Sequence, residues 1–229
     1  MTRRLTAEML GTAGLLIAIV GSGIRSDGPS STQLFQHAVV VGVCLAVLIA
    51  TFESVSGAHF NPAVTIVDAL LGGVRWRVAL GYVTAQLVGA SAGVMGVTVL
   101  FGLPAVTLAT TARSGFRLAA SEVVATLGLL LIIFGLRRSG RLSAIAPAVG
   151  AWVGAAIYFT PSTSFANPAV TVARVLTDTY TGIRGSSLGG FLLGQLVAVP
   201  LGVILATWLF DRSVITRSAV SAAQLEEMQ

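Results

Sequence analysis

Six stretches of this sequence are apolar over the length that a membrane-spanning helix requires. A helix needs about 20 apolar residues to cross the ~30 Å of hydrocarbon in a bilayer. Only 10% of the 229 residues are charged and 55% are hydrophobic, whereas a soluble domain carries roughly 25% charged residues. Because lipid offers no hydrogen bonds to the backbone, we expect helices and therefore an all-α integral membrane protein. The predicted spans lie near residues 5–24, 35–53, 78–101, 117–136, 143–160 and 186–210.

The basic residues predict how these spans are oriented. All 14 are arginine, and they fall mainly in the gaps between the apolar stretches and near the termini. With the amino terminus inside, nine arginines lie on the inner side and five on the outer side, which is the bias expected of cytoplasmic segments. We therefore expect both termini in the cytoplasm, with a cytoplasmic tail over residues 211–229. No organelle signal is visible, so a bacterial plasma membrane is the simplest expectation. The arginines form no basic face, so the net charge of +5 does not indicate a nucleic-acid partner.

The second half of the chain repeats the first half. Three segments recur in order: residues 7–16 as 121–130, residues 61–65 as 167–171, and residues 86–88 as 195–197. We interpret residues 1–229 as one channel domain whose repeats lie at about 5–101 and 117–210. Each repeat contains three spans, and because three is an odd number the second repeat must be inverted relative to the first. Inverted repeats place a transport site at their interface, near the middle of the bilayer.

The recurring pentapeptide Asn-Pro-Ala-Val-Thr predicts one short helix in each repeat. Asparagine is a favoured helix N-cap and proline is a favoured first residue, so the helices are expected to begin at Pro62 and Pro168. The first is expected to end near Gly72 and the second towards Asp178. About ten residues make ~15 Å of helix, half the thickness of a membrane. Two half-helices therefore enter from opposite sides, with their amino ends meeting.

The meeting point of the half-helices is the predicted centre of a pore, with Asn61 and Asn167 at its constriction. Irregular backbone at membrane depth is tolerated only inside protein or along a water-filled cavity. The two asparagine amides can donate hydrogen bonds to a passing hydroxyl, and the positive ends of both helix dipoles oppose cations and protons. These features predict a passive channel for small neutral solutes.

The segment Ser-Gly-Ala-His-Phe-Asn-Pro-Ala-Val-Thr at residues 56–65 resembles the first signature of the aquaporin superfamily. The two Asn-Pro-Ala segments, Glu8 with Glu122, and Gln86 with Gln195 also fall where that family has them. The resemblance implies six helices and two half-helices in an inverted 3+3 repeat, one pore per protomer, and a homotetramer in the lipid bilayer. It further implies that Glu8 and Glu122 accept hydrogen bonds from the loops before the half-helices.

The resemblance also implies a selectivity filter. At this filter the sequence differs from the water-selective and glycerol-selective members of the family. Those members carry an arginine three residues after the second asparagine, and this sequence has Val170. The family's other filter positions, located by counting back from the two asparagines, correspond to Val41, Ala155 and Ser164. A ring of these four side chains is wide and largely apolar, which favours glycerol-like polyols, urea-like compounds or neutral metalloid acids such as arsenous acid. Loss of the arginine resembles a bacterial subgroup of aquaporin-like channels associated with arsenic resistance.

Four ionisable residues lie near the half-helices. Arg174 is expected over the outer vestibule, one turn beyond the filter, or alternatively at the lipid surface or a contact within the tetramer. Its repeat counterpart, Asp68, has the opposite charge, for which the sequence offers no account. His59 is expected to support the first loop, with a pH gate as the less favoured alternative. Glu53 either bonds that loop or faces water.

Other functions remain open at this point. A secondary transporter would need a charged coupling site in the middle of the membrane, where only the paired glutamates are found. A water-selective channel, or an aquaporin-like protein with a purely structural role, is also compatible with the motifs. An enzyme is not expected, because no nucleophile–base set, metal cluster or phosphate loop is visible. For the same reason we expect no metal site and no cofactor.

Overall fold

The structure is a computed structural model that describes residues 1–26 and 30–210. Every regular element in those two ranges is helical, and six helical segments are long and apolar enough to cross a membrane. The predicted all-α architecture is therefore confirmed, whereas the predicted tail, 211–229, lies outside the described residues. The helices are α1 (Thr2–Arg25), α2 (Ser30–Ser56), α3 (Pro62–Leu70), α4 (Trp76–Leu100), α5 (Phe116–Arg138), α6 (Ile145–Phe159), α7 (Pro168–Ala173) and α8 (Leu188–Leu209).

The half-helices α3 and α7 begin where the sequence predicts. Asn61 has extended backbone (φ −152°, ψ 120°), and its Oδ1 accepts a hydrogen bond from the N–H of Ala63 at 2.9 Å. Asn167 caps α7 in the same way, accepting from the N–H of Ala169 at 3.0 Å. The proline that follows each asparagine lacks an N–H and has a φ suited to the first helical turn.

Helix α7 is shorter than predicted, ending at Ala173 and continuing only as a 3-10 turn, Arg174–Leu176. The three carbonyl groups of that turn accept hydrogen bonds from other segments instead of from the next helical turn. Their donors are the backbone N–H groups of Ile183, Ala109 and Thr107, at 3.2, 2.9 and 3.0 Å. The loops around α7 therefore end this half-helix early, which the sequence of the half-helix itself does not reveal.

The two repeats pack alike. Helix α1 contacts α2 and α4, and α5 contacts α6 and α8 in the corresponding way. Each half-helix packs against both α4 and α8, and contacts between α2 and α6 join the repeats. This arrangement places α3 and α7 at the interface between the repeats, where the inverted sequence repeat predicts a site.

Glycine allows close approach where α4 crosses α1 and where α8 crosses α5. A Cβ on Gly89 in α4 would collide with the carbonyl oxygen of Met9 in α1, and a Cβ on Gly194 in α8 would collide with that of Ala119 in α5. Small residues at helix crossings allow backbones to pack tightly within membranes.

A candidate solute pore between the half-helices

A cavity of about 230 Å³ lies between the repeats and reaches both half-helices. A water molecule occupies about 30 Å³ in the liquid, so the cavity has room for several waters or for a small organic solute. Among the described residues, the charged side chains on its wall are Glu53 and Arg137. Most of the wall is aliphatic: Leu15, Ile19, Val41, Leu45, Ile49, Val64, Leu129, Ile133, Leu142, Ile145, Val149, Val153, Ile157 and Val170.

Asn61 and Asn167 both lie on this wall, where the half-helices meet. Nδ2 of Asn61 donates to the carbonyl of Ala166 at 2.8 Å, and Nδ2 of Asn167 donates to the carbonyl of Phe60 at 2.7 Å. Each asparagine therefore ties its own half-helix to the loop of the other repeat. A side-chain amide has two N–H donors, so each asparagine retains one N–H for a solute in the cavity.

Glu8 holds the loop that precedes α3. Its carboxylate accepts hydrogen bonds from the backbone N–H groups of His59 and Phe60 at 3.0 and 2.7 Å. Ser56 Oγ and Gln86 Nε2 donate to the same carboxylate at 2.6 and 2.8 Å. A fully buried carboxylate with this many donors serves as a structural acceptor.

Glu122 holds the loop that precedes α7 in the same manner. It accepts from the backbone N–H groups of Phe165 and Ala166 at 2.9 and 2.8 Å and from Gln195 Nε2 at 2.7 Å. The role implied for both glutamates thus agrees with the geometry. The sequence repeat marks Gln86 and Gln195 as equivalent, but it does not show that both donate to these carboxylates.

The two loops hold strained backbone. Left-handed φ costs a residue other than glycine about 1–2 kcal/mol and persists only where the surroundings fix it. The hydrogen bonds to Glu8 and Glu122 supply that constraint. The left-handed residues other than glycine are Ala58 (49°), Phe60 (49°), Thr163 (60°), Ser164 (45°) and Ala166 (48°).

Three of the four predicted filter residues, Val41, Ser164 and Val170, lie on the cavity wall. Val41 comes from α2, Val170 from α7, and Ser164 from the loop between α6 and α7. Ser164 Oγ is buried and has no hydrogen-bond partner within the described part of the chain. These residues bring two apolar surfaces and one available hydroxyl to the cavity near Asn167.

The fourth predicted filter residue, Ala155, is a wrong assignment. It lies on a separate apolar groove between α2 and α6, and α6 turns Val153 and Ile157 towards the cavity instead. With 3.6 residues per turn, a residue two positions from both of these points to the opposite side of the helix. Counting back from Asn167 fixes a distance along the chain but not the face of α6. The four-residue spacing of Val149, Val153 and Ile157 is the signal that could have identified them.

Arg174 does not line the cavity, contrary to its predicted place over the vestibule. Its side chain is 3% exposed, and its guanidinium stacks on the ring of Phe165 at 3.5 Å from the centroid. Its Nε donates to the carbonyl of Thr181. The alternative of an arginine at the lipid surface is excluded by the same burial. We refer to this side of the cavity as the Arg174 end.

The opposite side of the cavity, the Arg137 end, carries a charged pair. Nη1 of Arg137 lies 2.6 Å from Oδ1 of Asp68, and Nε2 of His59 lies 3.5 Å from Oδ2 of Asp68. Nδ1 of His59 is 3.1 Å from the hydroxyl of Thr65, so His59 links the loop to α3. Glu53 lines the cavity here rather than bonding the loop. Arg137 was not among the predicted site residues, although a carboxylate in a half-helix at membrane depth, such as Asp68, indicates that a cation lies nearby.

Comparisons with known proteins agree with this architecture. The family model for major intrinsic proteins matches residues 1–160. Aquaglyceroporin AqpS of Rhizobium meliloti (strain 1021) is 41% identical over 214 residues, which cover 92% of this chain and 91% of that protein. The lens fiber major intrinsic protein of Lithobates pipiens is 31% identical over 213 residues, covering 84% of this chain and 78% of that protein.

A solved structure has the same fold. The X-ray structure of the aquaglyceroporin from Plasmodium falciparum superposes with a TM-score of 0.67 and 19% identity, covering 92% of this chain and 96% of that one. Membership of a channel family sets aside the enzyme and the secondary transporter. The chain belongs to the major intrinsic protein family and is a passive channel for small neutral solutes.

Proposed function

We propose that the channel passes uncharged, hydroxyl-bearing solutes larger than water, namely glycerol-like polyols and neutral metalloid acids such as arsenous acid. Urea-like compounds and water itself are accommodated by the same wall. The observation that carries the proposal is that no described residue brings a charge to the cavity wall near Asn167, where Val41 and Val170 lie on the wall together with Ser164.

The chemistry of the wall suits such a solute. Polyols and metalloid acids carry several hydroxyl groups, which accept hydrogen bonds from the free N–H groups of Asn61 and Asn167. The Ser164 hydroxyl, which is buried without a partner in the described chain, offers a further donor and acceptor. The aliphatic side chains contact the less polar side of the solute. Because this part of the described wall is uncharged, no charged side chain has to lose its hydration when the solute binds.

The relatives support a polyol more directly than a metalloid. The protein of Rhizobium meliloti that is 41% identical to this chain is named an aquaglyceroporin. The arsenous acid part of the proposal rests on the uncharged wall at Val170, because As(OH)₃ is a neutral trihydroxyl compound similar in shape to glycerol.

The membrane arrangement belongs to the same proposal. We place the Arg137 end of the pore at the cytoplasmic side and the Arg174 end outside, because the arginine excess lies on the side of the amino terminus. In that orientation both termini are cytoplasmic. The protein is proposed to act as a homotetramer in a bacterial plasma membrane, with one pore in each protomer.

The test is a flux panel in proteoliposomes for water, glycerol, urea and arsenous acid, repeated with Val170→Arg. An arginine at this position narrows and charges the wall. It is expected to reduce glycerol and arsenous acid flux by on the order of tenfold or more, with a smaller effect on water.

Val172→Arg is the matched control. Val172 lies on the same half-helix but is 39% exposed and is not part of the cavity wall. The control should keep the wild-type order of solute fluxes. Fast water flux in the wild type without flux of any larger solute would reject the proposal in favour of a water-selective channel. If the protein conducted none of these solutes, the result would favour an aquaporin-like protein with a purely structural role.

A further inference from the structure

We propose that Arg174 and Arg113 form a paired positive charge behind Phe165 that excludes cations from the Arg174 end of the pore. The proposal deepens the proposed function, since it concerns the selectivity of the same pore. It requires a conducting pore but not any particular neutral solute. The pair consists of two guanidinium groups, neither of which is part of the cavity wall.

The first member of the pair is fixed by burial. Arg174 is 3% exposed, and its guanidinium carbon lies 3.5 Å from the centroid of the Phe165 ring. Its Nε donates to the carbonyl of Thr181, an uncharged acceptor. Phe165 is on the cavity wall, so this charge sits directly behind a wall residue.

The second member approaches the same ring from another segment. The guanidinium carbon of Arg113, in the loop between α4 and α5, is 5.8 Å from the centroid of Phe165. Its Nε donates to the carbonyl of Gly182 at 3.0 Å, and its Nη2 donates to the carbonyl of Tyr180 at 2.9 Å. Both arginines are therefore held by backbone carbonyls of one stretch, residues 180–182.

Neither guanidinium has a carboxylate partner within the described chain. The ion pairs within 4 Å in residues 1–26 and 30–210 are those of Asp68 with His59 and Arg137. The described carboxylates of this repeat are Glu122 and Asp178, and neither lies within 4 Å of an arginine in the described chain. Glu122 accepts from two loop N–H groups and from Gln195, and Asp178 accepts from the N–H and hydroxyl of Thr110. The two carboxylates near the positive charges are thus both occupied elsewhere.

The other end of the pore provides the contrast. Asp68 occupies the repeat position of Arg174 and is paired with Arg137 at 2.6 Å, so that end carries a compensated pair. Uncompensated charge inside a membrane protein is costly and in general marks a functional site. The charge reversal between the two repeat positions leaves an ion-paired Asp68 at the Arg137 end and a buried arginine without a carboxylate within 4 Å at the Arg174 end of the described chain.

The expected consequence is a barrier to cations but not to neutral solutes. Arg174 lies behind a single aromatic ring in buried surroundings, so its charge acts on a cation in the cavity with weak screening. The charge of Arg113, which is partly exposed, adds to this field with more screening. Hydrogen bonding to an uncharged hydroxyl solute is affected far less. Arg174 and Arg113 are therefore specificity-determining residues that act through the field and not by contact with the solute.

The experiment measures proton and sodium leak together with glycerol flux in proteoliposomes of the full chain. The variants are Arg174→Met, Arg113→Met and the double variant. Relative to glycerol flux, cation leak is expected to rise on the order of tenfold in each single variant and further in the double variant. Arg184→Met is the matched control, because Arg184 is exposed on the same end and its side chain donates, within the described chain, only to the carbonyl of Thr110.

Arg174→Lys separates charge from packing. It retains the positive charge without the planar guanidinium, so it should keep the leak near that of the wild type. A ratio of leak to glycerol flux that stays constant across the methionine variants would overturn the proposal, as would equal leak in Arg174→Lys and Arg174→Met. If Arg174→Met does not fold, the ratio of cation leak to glycerol flux in Arg113→Met tests the proposal instead. Wild-type protein that conducts no solute would count against the proposed function and not against this pair.

Discussion

Glu8 and Glu122 are the residues on which the shape of the pore loops depends. Each is fully buried and accepts hydrogen bonds from N–H groups of its loop and from a glutamine of a neighbouring helix, and Glu8 also accepts from the Ser56 hydroxyl. A carboxylate is an acceptor at both oxygens, so it can satisfy donors that a left-handed loop turns inwards. The strained residues of the loops are held by these bonds rather than by their own preference.

Glu8→Gln should destabilise the protein by about 2–3 kcal/mol. The amide NH₂ would replace either Oε1, which accepts from His59 and Ser56, or Oε2, which accepts from Phe60 and Gln86, and it could not accept from the donors that it faces. Glycerol flux should fall with the loss of order in the loop, and thermal unfolding in detergent measures the stability change. Glu53→Gln, a half-buried glutamate on the cavity wall, is the control and should leave the unfolding temperature unchanged. Equal stability of the two variants would contradict the structural role of Glu8.

Among the helices, close packing depends on glycines that face a neighbouring backbone. Gly89 and Gly93 in α4 both lie against carbonyl groups of α1, and Gly194 in α8 lies against α5. A helix of residues with larger side chains could cross the membrane equally well, but it would hold its neighbour farther away. The positions of the half-helices, which pack on α4 and α8, depend on these crossings.

Gly89→Ala should cost about 1–3 kcal/mol, because the added methyl group collides with the Met9 carbonyl and forces α1 and α4 apart. The matched control is Gly96→Ala in the same helix, where an added Cβ meets no atom within 4 Å. The control should be neutral or slightly stabilising, since alanine is the better helix former. Unfolding temperatures in detergent distinguish the two, and a neutral Gly89→Ala would indicate that the helices can separate without loss of stability.

At the scale of the whole molecule, the two repeats carry the same buried network around a shared pore. Gln86 bridges Glu8 and Thr65, and Gln195 bridges Glu122 and Thr171. The asparagine amides then link the networks by donating across the interface. Stability should accordingly be distributed over both halves and not concentrated in one.

The leucine variants Gln86→Leu and Gln195→Leu should therefore lower the free energy of unfolding by similar amounts, about 1–3 kcal/mol each. In each case a buried carboxylate loses one donor. Gln36→Leu, at an exposed position of α2, serves as the control and should be close to neutral. A large effect in one repeat and none in the other would show that the matching contacts do not have matching energies.

The sequence predicted the spans, the half-helices and the pairing of Asn61 with Asn167 because each follows from local rules or from the repeat itself. Membrane-length apolar runs must become helices, and Asn followed by Pro favours a helix that begins at the proline. Ala155 was misassigned because the face on which it lies depends on how α6 is rotated against α2, which a count along the chain does not fix. Arg137 was missed because its partner, Asp68, lies far from it in the chain.

The chain by itself determined its solvent, its helices and the inverted order of its repeats, since charge content, periodicity and an odd number of spans are properties of the sequence alone. Only the tertiary structure decided which side chains line the cavity and which charges are paired. Two repeats with nearly the same local sequence place Asp68 next to a cation, whereas Arg174 lies against an aromatic ring and a carbonyl. That difference arises from segments distant in the chain, whose approach is fixed by packing and not by any local preference.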